Sequence, residues 1–452
     1  MQNTMIQTKR LLIATILLLA APIAVWCQQD ASSSQEVLTL EEAIATALGK
    51  NHLVRNAELD VGKADSQLAA IRTARLPSLH MNTIFLQQLV KQDIRINDPL
   101  SHILPGLGPF FSISGPRKLN TIFGVSALQP LSEQYRIGLN IEQAKLARDV
   151  KGEQLRQRQQ STINDVKRIY YGILQAQSAL KSLHEAIRLY RELDRVTGDY
   201  VAQQVSLKSD LMEVKTRLAK AEYEAIVLGN QLETEKEQLN HLIGRDVRTD
   251  FTVSEVPGIG DVNIDLASAR RLALDQRPEV RESRLKIRLA ELDRRAKKSE
   301  YIPDVGIGFS YLTLRNFDDI IPKNFASLGV IVRWEIFDWG RKRDQLSEKE
   351  KTIEQAKNGL HETESLVLIE VGDKFRRLQQ SRQALIVAQL AQETAREVLR
   401  INTNRYKVSA AILSDVLQSQ ASLAEANNQY QQALLGYWTA KAQFEKAIGE
   451  EK

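Results

Sequence analysis

The chain has a single cysteine, Cys27, in 452 residues. No disulfide framework or cysteine-rich metal site can be built from it, so stability must come from packing. Its six histidines, His52, His80, His102, His184, His241 and His361, are scattered, with no two at helical ligand spacing. A phosphate-cradling loop of the Gly-x-x-x-x-Gly-Lys type is absent. No catalytic, metal or cofactor site is therefore expected, and the chain does not read as an enzyme. Neither sign of charge dominates: 61 Lys and Arg against 56 Asp and Glu leave a net +5. So small an excess makes no case for nucleic-acid binding. Proline is missing between Pro130 and Pro257 and again after Pro322, which leaves two long spans free to be helical throughout.

Long apolar runs are also missing, except at the N-terminus. Lys9 and Arg10 precede the apolar stretch Leu11 to Ala21, and polar sequence resumes at Gln28. This is the pattern of a secretory signal peptide over 1–27. Its apolar core is too short to span a bilayer. Trp26 stands where a lipoprotein signal wants a small residue, so cleavage without lipidation of Cys27 is expected. An exported chain with no later transmembrane helix can cross a membrane only with β-strands.

What the sequence does contain is a copy of itself. Leu38-Thr39-Leu40-Glu41-Glu42-Ala43 is matched by Ile264-Asp265-Leu266-Ala267-Ser268-Ala269, 226 residues on, and at the same shift Pro77 meets Pro303. Further along the shift is 205: Asp210 meets Asp415, Leu218 meets Leu423, and Ile243-Gly244 meets Ile448-Gly449. A tandem repeat follows, with 28–250 as the first unit and 251–452 as the second. The difference between the shifts is an insertion in the first unit between Pro77 and Gln129. It holds Pro99, Pro105, Pro109 and Pro116 and reads as a loop.

Within the proline-free spans apolar residues recur at threes and fours, as in Leu211, Val214, Leu218 and Ala221, and in the matching Val416, Leu423 and Ala426. Sustained heptads of this kind indicate long coiled-coil helices. The helical spans are 38–76 and 132–244 in the first unit, 265–301 and 338–448 in the second. Between them the period changes to two. Val305, Ile307, Phe309 and Tyr311 alternate with small or polar residues, and Leu328, Val330, Val332, Trp334 and Ile336 do likewise. Hairpins are expected near 78–131 and 304–337, with strands long enough to cross a membrane at a tilt. Four strands cannot close a barrel, and an open edge cannot face lipid. The chain is therefore expected to pool strands with copies of itself, a trimer giving twelve; the alternation alone also permits a dimer.

The order hairpin, long helix, return helix, twice over, resembles the TolC-like outer membrane factor family. Specific stretches are Gln129-Pro130-Leu131 and Trp334-Glu335-Ile336-Phe337-Asp338-Trp339-Gly340-Arg341 at the strand-to-helix junctions. The run Arg405 to Leu417 is similar to the family's turn at the periplasmic tip. The resemblance implies a mainly helical chain with a membrane β-barrel, a homotrimer with a 12-strand barrel in the outer membrane and a 12-helix periplasmic tunnel. It implies as partners a periplasmic adaptor and, through it, an inner-membrane pump. Asp415 would ring the entrance, with Gln418 where relatives often carry a second carboxylate. Asp210 and Tyr406 would tie neighbouring helices at a closed tip. Val205, Ser206, Leu207, Ser409, Ala410 and Ala411 would face the adaptor, with Gln204 and Ser409 at positions where glycine is common. Ala411 replaces an arginine found in some members. Trp334, Phe337 and Trp339 suit an interfacial aromatic belt against lipid.

Plainer roles fit the same residues. An Asp at a helix start also caps it, and Tyr406 and the Trp334 to Trp339 aromatics also suit packing. Two other functions remain open at this point: an exit duct for secreted proteins, and a periplasmic coiled-coil scaffold with soluble hairpins.

Overall fold

The computed structural model describes residues 37–87, 119–254, 265–316, 323–408 and 410–450, and the backbone of 93–96 and 111–114. The signal segment with Cys27, the four insertion prolines and Ser409 lie outside the described residues.

The first unit runs β1 (Val37–Leu38), α1 (Leu40–Lys50), α2 (His52–Thr73), β2 (Ser78–Gln87), β3 (Asp93–Ile96), β4 (Phe111–Ser114), β5 (Leu119–Pro130), α3 (Glu133–Ala202) and α4 (Lys208–Leu242). The second runs β6 (Thr252–Val253), α5 (Leu266–Gln276), α6 (Pro278–Lys298), β7 (Asp304–Arg315), β8 (Asn324–Arg333), α7 (Arg341–Lys407) and α8 (Leu413–Ala447). The 70 residues of α3 and 67 of α7 extend each helix to roughly 100 Å at 1.5 Å per residue.

Three features depart from the periodicity reading. The spans 38–76 and 265–301 each divide into two helices. In the first, Asn51 ends α1 and caps α2, its Oδ1 accepting from Leu53 N at 2.8 Å and Val54 N at 3.1 Å. In the second, Pro278 takes the first position of α6, where its missing N–H costs nothing. The insertion is not all loop, since β3 and β4 pair antiparallel. Finally, β8 stops at Arg333, so Trp334 and Ile336 lie beyond the regular strand.

Four of the strands form one sheet in the order β2-β5-β7-β8, antiparallel throughout. Register puts Leu79, Met81, Val125, Ala127, Phe309 and Leu328 on one face. Small or polar residues such as His80, Gly124, Ser126, Gly308 and Ser310 take the middle of the other. The apolar face is uncovered: Leu79, Leu328 and Val330 are each at least two-thirds exposed.

Midway along the helices lies the main core. Tyr170, Ile173, Leu239, Phe251, Tyr437 and Phe444 are fully buried there. Tyr170 donates its buried hydroxyl to the Leu38 carbonyl at 2.9 Å, tying α3 to the short parallel pair β1–β6. Tyr171 and Trp438 stack at 5.4 Å across the two units. Each return helix ends in an Ile-Gly pair with the glycine left-handed, at φ 72° for Gly244 and 85° for Gly449. The Arg245 and Glu450 amides reach back to Asn240 and Glu445 carbonyls at 3.0 Å, closing both helices in a Schellman motif.

At Gly244 a side chain is excluded twice over. The φ is unfavourable for any residue with a Cβ, and a Cβ would collide with the Lys50 carbonyl. Gly244→Ala is expected to destabilise by at least ~2 kcal/mol, lowering the melting temperature in detergent. Gly62→Ala, in mid-helix with open space around it, is expected to be neutral or stabilising by up to ~1 kcal/mol.

Candidate functional site

The turns α3–α4 and α7–α8 lie at the helix ends remote from the sheet, and the repeat makes them near-copies. Both return helices start behind an apolar residue, Leu207 or Ile412, which has no side-chain oxygen to cap with. The acid three positions on supplies one. Asp210 Oδ2 accepts from Leu207 N at 3.3 Å, and Asp415 Oδ2 accepts from Ile412 N at 3.4 Å. Each carboxylate thereby satisfies a donor that the helix start would leave open, and sits well with the positive end of the dipole.

The two acids then differ. Asp210 also receives the Ser206 hydroxyl at 2.7 Å and the Ser209 hydroxyl at 3.4 Å. The position matching Ser206 is Ala411, which has no hydroxyl to give. Asp415 is exposed, as is Gln418 one turn on, whereas Asp210 is partly covered. The first turn is completed by Gln204, left-handed at φ 61°; the matching Ser409 lies outside the described residues. Val205, Leu207, Val408 and Ile412 put bare apolar side chains on this end, each about two-thirds exposed or more. Ser206 is half-buried, Ala410 exposed and Ala411 half-buried.

Behind the turns sits a second core, containing Ile187, Tyr190, Leu193, Val214, Leu413, Val416 and Leu417 together with Tyr406. Tyr406 is only 5% exposed. Its hydroxyl lies 3.2 Å from Thr197 Oγ1, and its ring meets Tyr200 edge-on at 5.7 Å. It thus joins α7 to α3 across the two repeat units. Burial pushes the Tyr406 phenol up, helped by the charges of Tyr200 and Asp210, while the Thr197 contact opposes the shift. The hydroxyl stays protonated through the neutral range. Asp210 and Tyr406 are near each other electrostatically, but their hydrogen bonds go to different partners. Thr197 and Tyr200 were not singled out from sequence, because their link to Tyr406 spans more than two hundred residues. The caps did leave a signal: an acid three positions after the turn in both copies.

At the opposite end, Trp334, Phe337 and Trp339 are exposed, Trp339 at 89%. Phe337 and Trp339 meet edge-on at 4.8 Å. The junction is fixed by Asp338, which accepts from Gly340 N at 3.1 Å and Lys342 N at 2.9 Å. Hydrogen bonds from those amides hold its carboxyl below the usual range. Glu335 pairs with Arg341 and Lys342 beside it. Among the described residues no helix is long and apolar enough to cross a membrane, and no group of three metal-ligating side chains converges.

Residues 43–245 and 269–450 match the family model described as outer membrane efflux protein. Several solved structures share the fold. The Campylobacter jejuni CmeC outer membrane channel superposes with a TM-score of 0.74 at 16% identity, over 91% of this chain and 85% of that one. A Pseudomonas aeruginosa membrane protein gives 0.74 at 19%, over 95% of each chain. The open state of the Neisseria gonorrhoeae MtrE outer membrane channel gives 0.70 at 18%, over 91% and 89%. The family match takes in both repeat units and most of the chain, which makes this protein a member of the outer membrane efflux protein family, located in the outer membrane.

Proposed function

We propose that the chain is one of three identical subunits of a passive efflux duct. The sheet is its share of a twelve-stranded barrel in the outer membrane, and the helices are its share of a periplasmic tunnel. Small molecules would arrive from an inner-membrane pump through a periplasmic adaptor gripping the helix turns. The observation that carries this reading is the sheet. It is apolar on one face, bounded by two edges unpaired among the described residues, and held at one end of helices roughly 100 Å long.

At the far end, the exposed residues Val205, Leu207 and Ala410, with Ser206 and Ala411 beside them, form the surface offered to the adaptor. Three copies of Asp415 would ring the entrance, favouring cations and opposing anions at close range. Asp415 suits this better than Asp210, whose oxygens are taken up by two serine hydroxyls and an amide. Tyr406 would act as a latch: opening requires α7 and α3 to separate at Thr197 and Tyr200. Trp334, Phe337 and Trp339 would lie at the lipid interface.

Three measurements test these parts separately. Protein extracted from outer membranes should scatter light as a trimer of the 51.0 kDa chain, less its signal segment; a detergent-independent monomer would defeat the proposal. Asp415→Asn keeps an oxygen for the Ile412 amide while removing the charge. In planar bilayers it should weaken block by divalent cations and raise relative anion permeability, at an unchanged melting temperature. Unaltered block would reduce Asp415 to a helix cap. Tyr406→Phe removes one hydroxyl contact worth about 1 kcal/mol and should raise the open fraction about fivefold, with unitary conductance unaltered.

A further inference from the structure

Each long edge of the sheet carries a row of unused main-chain groups. On the proposed trimeric reading, β8 of one copy meets β2 of the next. We infer the register of that pairing from the chain's own cross-repeat pairing, β5 against β7.

The repeat extends to single residues in the strands. Ser78 pairs with Leu128 in the first hairpin and Asp304 with Arg333 in the second. These pairs are related by the 226-residue shift on one side and the 205-residue shift on the other. The junction between the hairpins pairs Pro130 with Gly306 and Val125 with Tyr311. Carrying β5 forward by 205 and β7 back by 226 turns that junction into one between copies. Ile331 then stands opposite Ile84 of the partner subunit, Val330 opposite the partner subunit's Phe85, and Val332 opposite the partner subunit's Thr83.

Two conditions are met by this register, and both fix its parity. The first is facing. Val330 and Val332 lie on the apolar face of β8, and Phe85 lies on the apolar face of β2, so the band continues unbroken. A one-residue slip would turn it over. The second is hydrogen bonding. Leu131 N donates to Val305 O at 2.8 Å, and Leu314 N to Lys323 O at 2.8 Å. Odd-numbered main-chain groups of β7 thus face β5 and even-numbered ones face β8. By the same alternation, the free groups belong to even-numbered residues of β8 and odd-numbered residues of β2. The inferred register joins those groups and leaves Ile331 with Ile84 as a close, non-hydrogen-bonded pair.

The register also accounts for the early end of β8. Its counterpart β5 runs on to Pro130 because β7 lies beside it. The matching residue of the second unit is Glu335, and in the assembly Trp334 and Glu335 join the strand opposite Met81 and His80 of the partner subunit. Lower down the two seams differ. Within the chain, Lys167 and Glu445 form an ion pair at 2.6 Å that is largely shielded from water. The corresponding positions between copies are Gly372 and Asn240. The seam between copies lacks that pair of charges.

The test is disulfide formation between copies. In a non-hydrogen-bonded pair the Cα atoms are about 4.5 Å apart, within reach of a disulfide. Ile331→Cys combined with Ile84→Cys should form covalent dimers and trimers on mild oxidation in purified outer membranes, reversed by reductant. Ile331→Cys with Asn82→Cys, or with Leu86→Cys, is displaced by two residues and should cross-link at least tenfold less. Single variants set the background. Light scattering on each variant in reductant reports assembly independently. A trimer that cross-links best through Asn82 or Leu86, or through none of the pairs, overturns the register and leaves the trimeric duct standing. A chain that is monomeric in reductant overturns both.

Discussion

The architecture depends on main-chain hydrogen bonds that one chain cannot complete. A four-stranded sheet has two edges, and here each is a ten-residue strand with an apolar face. In water such an edge invites aggregation, and in lipid every unpaired amide or carbonyl costs several kcal/mol. Closing the sheet on itself needs more strands than the chain owns. Identical copies remove both edges at once, since β2 and β8 run in opposite directions and can continue the antiparallel order without interruption. The helices follow: they hang from the strands, so whatever arranges the strands in a ring arranges the helices in a tube.

Holding such a tube together falls to the belt at mid-height. There the chain enters each unit through a short helix, breaks, and turns into a second. Asn51 serves both directions, accepting from the start of α2 while donating to the Leu242 carbonyl at the end of α4 at 2.7 Å. In the second unit the break is built from Pro278 and the buried Arg277, paired with Glu279 at 3.0 Å and with Glu370. Glu279 is largely desolvated, which raises its carboxyl, but the guanidinium outweighs burial and holds it below the usual range. The same geometric need is met once by an amide and once by an ion pair.

Much of this was legible before any coordinates. The repeat shift, the proline-free spans and the change of period fixed the order of elements and the face of each strand. The helix break was written plainly only at Pro278; His52 at the matching position gives no such sign, because Asn51 works through a cap that many loops also contain. Alternation is borne out only through Val332 and does not reveal whether a neighbour is present to hydrogen-bond, so β8 ends where its neighbour within the chain runs out. The Asp210 and Asp415 turns were visible as local patterns. The Thr197 and Tyr200 contacts of Tyr406 were not, since only the packed fold brings α3 and α7 together. Any function of the tip residues in a ring depends on copies that a single chain does not contain.

The matching strand registers have a consequence for how such a sequence can drift. A residue gained or lost inside any of the four strands would misplace it against its neighbours and reverse its facing. Length can change only outside the four-stranded ladder. The two units differ by 21 residues between their shifts, and the whole difference falls between β2 and β5, the stretch that includes the β3–β4 pair. Substitutions have accumulated freely enough to leave the two units with little identity. The extra length sits between two strands of one hairpin, where it leaves the registers of all four strands unchanged.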